Sequence, residues 1–187
     1  DLRLYFGLDI KPESHLYKAW LIGKLIFCMR GINLRDLLLL TSDNIKNGRV
    51  IYRRAKTKKI YSIPLLSEIG ETIRKFDSNG YTLLGIVSEA DMKDTLNFED
   101  VFGQRRKVIN AHLKKLGQQI GSTEPITTYV FRYSFSNIAK QMGYSKDLIS
   151  ESLGHNYGNS TTSHYLEQFH QDELDKLTVE VIKSVSE

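Results

Sequence analysis

Residues 127–169, TTYVFRYSFSNIAKQMGYSKDLISESLGHNYGNSTTSHYLEQF, decide how this chain is read. Thr127 or Thr128 is placed to cap a helix that runs to Gly143, and Ser145 to cap a shorter one that ends at Leu153, before Gly154. Val130, Phe131 and Phe135 bury the turns around Arg132, which has no acidic neighbour close in sequence. An arginine in that setting wants an anion. Arg132, His155 and Tyr165 then offer, in order, a guanidinium fork for phosphate oxygens, an imidazole and a hydroxyl nucleophile. A pure binding module would use the arginine but have no need of the tyrosine. Each residue also has a plainer reading: Arg132 as a surface arginine, His155 as a C-capping histidine, Tyr165 as a core aromatic at the foot of the last helix.

Working outward, a helix is expected from about Ser14 to Met29, with Leu16, Trp20, Leu21, Leu25 and Ile26 largely on one face. Gly31 breaks it. Asn33 then reads as the N-cap of a helix with Asp36 as its capping-box partner and Leu37 to Leu40 as the buried stripe. GRVIYRRAKTKKIYSIPL alternates in the strand manner on both sides of a charged tip, so a β-hairpin is expected over residues 49–63, closed by Pro64. Further helices are expected from Ser67 to Phe76, from an Asn97 cap to Gly121, and from Gln171 to Val185. YTLLGIV (81–87) is either a short strand or a buried connector. The fold class is therefore mainly α with a small antiparallel β-sheet (α+β), in one domain.

The chain has 187 residues, enough for one domain with a real core. Its net charge is +4, but the excess is local: seven basic residues lie between Lys46 and Lys59, with only Asp43 just upstream. Such a run is usually a solvated face; aromatic and β-branched neighbours favour a polyanion partner. The one cysteine, Cys28, sits in apolar LIFCMR and excludes an internal disulfide, which suits a reducing cytoplasm. No apolar run is long enough to span a membrane, and the five histidines lack metal-ligand spacing, so no metal or cofactor is expected.

YVFRYSF, LGH and TTSHY, in that order, resemble the second half of the tyrosine recombinase (phage integrase) catalytic domain, which shows H-x-x-R-H-[ST]-F, L-G-H and T-T-x-x-Y. RGINLRDLLLLTSDNI resembles the family's G-x-R-x-x-E-L segment, and RRAKTKKIYSIPL its lysine-bearing hairpin. These elements in series are far more specific than any one. YRRAKTKK and GNSTTxxYL look most like integrases of mobile elements from Bacteroides-type bacteria.

The resemblance implies a DNA breaking-rejoining fold and a metal-independent site-specific recombinase. Tyr165 would be the nucleophile, forming a 3′-phosphotyrosyl link, with Arg132 and His155 on the phosphate and Lys56 as acid for the 5′ oxygen. Arg53, Arg54, Lys58 and Lys59 would contact the DNA backbone. Three positions depart from the pattern. Asn33 stands where the family has its first arginine, and Arg30 is expected to replace it in preference to Arg35. Tyr129 and Tyr133 stand where histidines flank the second arginine; the Tyr129 hydroxyl can orient but is a poor base near neutral pH. The implied partners are double-stranded DNA, a homotetramer on synapsed sites and accessory DNA-bending proteins. Residues 1–166 would form the catalytic core, and 167–187 a helix docking on a neighbouring protomer. The family's N-terminal DNA-clamping domain has no counterpart in this chain. Two alternatives stay open: a non-catalytic DNA-binding regulator on the same fold, and a type IB topoisomerase relative that relaxes DNA.

Overall fold

The computed structural model describes residues 2–94, 97–154 and 170–186. Its centre is α2 (Tyr17–Cys28), in which Ala19 through Gly23 and Leu25 through Cys28 are all buried. A helix that is apolar almost all round must be covered on every side. Around it pack α4 (Ser67–Arg74), α6 (Phe98–Gln119), α7 (Thr128–Gln141) and α9 (Gln171–Ser186). Short α1 (Leu2–Phe6), which the sequence reading missed, is pinned by its Tyr5: the hydroxyl donates to the Trp20 carbonyl at 3.1 Å, and the Trp20 indole N–H returns a bond to the Tyr5 carbonyl at 3.0 Å. Phe131 meets the Tyr5 ring edge-on at 4.8 Å and lies against Gly23, where a larger residue would collide with both rings.

The sheet has three antiparallel strands in the order β1 (Ile45–Lys46), β2 (Arg49–Arg53), β3 (Ile60–Pro64), the first unforeseen. In β2 and β3 the pairs Val50–Ile63 and Tyr52–Tyr61 face the core, and the two tyrosine rings stack at 5.1 Å. The alternating neighbours Arg49, Ile51 and Arg53 lie on the other face. Period-2 patterning thus sets the register that places residues 54–59 at the hairpin tip.

Asn33 caps α3 (Leu34–Leu38) as expected, accepting from the Arg35 N–H at 2.9 Å. Asp36 is not its capping-box partner; its carboxylate reaches the Ala55 N–H of the hairpin at 3.0 Å instead. Residues 81–87 are a buried connector and not a strand, with Thr82, Leu84 and Val87 inside. They lead to a short α5 (Glu89–Lys93), capped by Ser88. Ser145 caps α8 (Lys146–Ser152), accepting from the Leu148 N–H at 3.2 Å, and Gly154 ends it with φ of +70°. In α9 the stripe of Leu174, Leu177, Val181 and Ile182 is buried within this same chain, against α1, α2 and α7. The expectation that this stripe seeks a neighbouring protomer meets a competing fact: its own domain already covers it.

Candidate active site

Four elements converge beside Gly154. Arg132 lies on α7 with its aliphatic stem against Gly31, where any Cβ would meet the Arg132 Cβ at 2.9 Å and Cγ at 2.6 Å. The closeness of that approach, together with φ of +66°, is why residue 31 is glycine. One Arg132 Nη donates to the Gly31 carbonyl and the other to the Leu153 carbonyl at 2.6 Å. Arg54, at the base of the hairpin tip, donates to the Gly154 carbonyl at 2.8 Å and approaches that of Leu153 at 3.4 Å. Two guanidinium groups therefore share the carbonyls of Leu153 and Gly154 just past the C-terminal end of α8, where the helix dipole is negative. Burial, and then the charge of Arg54, holds the Arg132 pKa below its ordinary value.

The surroundings hold this pair in place. The Tyr61 hydroxyl lies against Gly154 so closely that a Cβ there would overlap it. Burial raises the pKa of Tyr61 and of Tyr52, so neither is an acid or base near neutral pH. The carboxyl of Asp36 is also raised by burial, against the opposing pull of the Ala55 N–H and of Arg54, Arg35 and Arg132. Asp36 thus supplies both a backbone tether for the hairpin and a negative charge beneath the two arginines. Lys59 approaches the buried Glu151 of α8 at 3.7 Å, a second tie between hairpin and helix.

Lys56 is exposed in the turn at the hairpin tip, and Arg53 and Lys58 are exposed beside it. Tyr129 and Tyr133 stand one turn apart on α7, 58% and 61% exposed, with rings 6.2 Å apart. Tyr129 and Arg132 border a notch of about 70 Å³ whose other walls include Asn33 and Arg106. His155 and Tyr165 lie outside the described residues, so their placement is not part of this geometry.

Arg30 is the clear correction. Its side chain is 2% exposed and faces α9, where Nη2 meets Asp175 at 2.8 Å and Nε donates to the Thr178 hydroxyl at 2.6 Å. Burial pushes its pKa down to about 10, with Asp175 opposing. A cation so committed to its own fold is not offered at Asn33. Arg35 is also occupied, by Glu99 and by the Phe98 ring 4.9 Å away. The arginine standing beside Arg132 is Arg54, which the sequence reading assigned to the DNA backbone. Its position two residues before Lys56 carried no signal of this.

A sequence profile of the phage integrase family matches residues 22–172, a span that contains every element of this cluster. The chain belongs to the phage integrase family. Searches of curated proteins and of solved structures returned no match. The family's proteins are tyrosine recombinases that act on DNA, which accords with the basic hairpin and the paired guanidinium groups. No helix among the described residues is long and apolar enough to cross a membrane, and none of their His, Cys, Asp and Glu side chains forms a cluster that could hold a metal ion.

Proposed function

We propose that this integrase-family chain cuts and rejoins DNA strands for insertion or excision of a mobile element, through a covalent bond to Tyr165. The observation that carries the proposal is the convergence of Arg54 and Arg132 on the Leu153 and Gly154 carbonyls, the first two residues of the LGH segment, upstream of TTSHY. The Tyr165 oxygen attacks phosphorus, and the bond from phosphorus to the 5′ oxygen breaks. Lys56 gives the leaving oxygen its proton, and His155 accepts the phenolic one. Arg132 and Arg54 bind the two non-bridging oxygens, whose charge grows in the transition state. Arg54 thereby takes the part left open at Asn33, and Tyr129 orients at the rim. Because the phosphotyrosyl link conserves the bond, a second DNA end with a free 5′ hydroxyl reverses the attack without a nucleotide cofactor.

The test uses a pool of nicked duplexes with a randomised core, on which the broken strand end diffuses away and traps the intermediate. A protein–DNA adduct resistant to denaturant is expected, lost in Tyr165→Phe. Strand exchange between two duplexes separates a recombinase from a relaxing enzyme. An absent adduct with DNA binding retained would favour a regulator on this fold, the reading that Asn33 supports.

A further inference from the structure

One carboxylate gathers an unusual number of donors away from the arginine pair. Asp175, in α9, accepts from both Nη atoms of Arg49 at 2.7 and 2.9 Å, from Arg30 Nη2 at 2.8 Å and from Gln171 Nε2 at 2.8 Å. Arg49 belongs to β2, and it also donates through Nη2 to the Ser62 carbonyl of β3 at 3.1 Å. Arg30 follows α2, and its Nε donates to Thr178 on the same α9. Three separate elements thus meet on Asp175.

We propose that Asp175 is a positioning residue for strand cleavage, fixing α9 relative to both the catalytic hairpin and the backbone that holds Arg132. The inference rests on the assignment of Tyr165, Lys56 and Arg132 to the reaction. Arg30 is bonded directly to Gly31, whose carbonyl accepts from Arg132. Arg49 lies in the strand that leads to Arg54 and Lys56. Asp175 follows Tyr165 by ten residues in the sequence and lies in α9. An apolar contact could hold α9 to the domain equally well. A bidentate arginine–carboxylate pair with a second arginine fixes angle and register as well as distance. A shift of α9 by one turn would leave both arginines without their partner and carry that change to both sides of the site.

The consequence is kinetic, since a misplacement of about 1 Å near reacting atoms costs on the order of a hundredfold in rate. In single-turnover cleavage of a nicked duplex recovered from the pool above, at saturating DNA, Asp175→Asn should lower the rate constant at least tenfold. DNA affinity and reaction amplitude should stay within about twofold. Arg49→Lys, at a side chain 25% exposed, keeps the charge and loses the two-point grip; it should lower the rate constant by a smaller factor. Hydrogen exchange in the full chain reads the coupling without any activity: Asp175→Asn should speed exchange of the β2–β3 amides and of Gly31, with the interior of α6 unchanged. A lower amplitude at an unchanged rate constant, or faster exchange confined to α9, would reduce Asp175 to a structural role and overturn the proposal. If the parent chain forms no adduct, the recombinase reading fails, and exchange at the hairpin still decides whether Asp175 couples the elements.

Discussion

A guanidinium can serve a phosphate only if its own fold has not consumed it, and on this count Arg54 and Arg30 differ. Arg54 bonds two backbone carbonyls at the lip of α8, whereas Arg30 is sealed against Asp175 and Thr178. Arg54→Ala is expected to slow cleavage on the order of a hundredfold or more, as loss of one transition-state donor does, while Arg54→Lys keeps part of the rate. Arg30→Ala should announce itself first as a lower melting temperature. Asp175→Ala should cost about 3–5 kcal/mol in urea unfolding, because it strands a buried cation. Gly154→Ala combines the left-handed strain of about 1–2 kcal/mol with overlap on the Tyr61 hydroxyl. Adding Tyr61→Phe should recover part of that loss, read as a coupling in a double-mutant cycle. Cys28, buried and with its thiol pushed up to about 12, should resist alkylation in the native protein.

At the scale of elements, the hairpin and α9 carry the testable physics. Arg53→Ser and Lys58→Ser, both exposed at the tip, should each lower the slope of log affinity against log salt by about 0.9. Lys59→Ser should do less, since Lys59 already faces Glu151. Truncation after Glu167 should destabilise the domain itself, because Leu177 and Val181 are fully buried in it. Burial alone would raise the Asp175 carboxyl, but bonds from Arg49 and Gln171 and the charges of Arg30 and Arg49 hold it below its ordinary value. Its contribution is therefore present above the unfolded value near 4 and lost as pH falls through the lower folded value. Acid unfolding followed at α9 should begin below about pH 4, and Asp175→Asn should flatten that dependence. The elements themselves were legible because their signals are local: Ser145 and Gly154 delimit α8, and alternation fixes β2 against β3. Where α9 docks was not. An amphipathic stripe states that a partner surface is needed, not which one, and Arg30 and Asp175 stand 145 residues apart. Asp36 was misread for a similar reason, since its nearest cap and its actual partner, Ala55, are equally plausible from composition.

For the whole molecule, membership of the phage integrase family and the paired arginines at the end of α8 lead to one chemical claim, that Tyr165 becomes bonded to DNA. The order Arg132, LGH, TTSHY was visible in sequence, while the meeting of Arg54 with Arg132 needed the fold, because it joins a hairpin to a helix seventy-eight positions later. Strand exchange presupposes the bond, whereas salt dependence and assembly can change without testing it. The direct measurement is peptide mapping of the trapped adduct by mass spectrometry after nuclease and protease digestion. The account predicts a nucleotide-sized mass on the peptide containing Tyr165, with fragment ions assigning it to that side chain. The same mass on Tyr157, Tyr129 or Tyr133, or a parent protein that binds the nicked pool and yields no modified peptide, would contradict it.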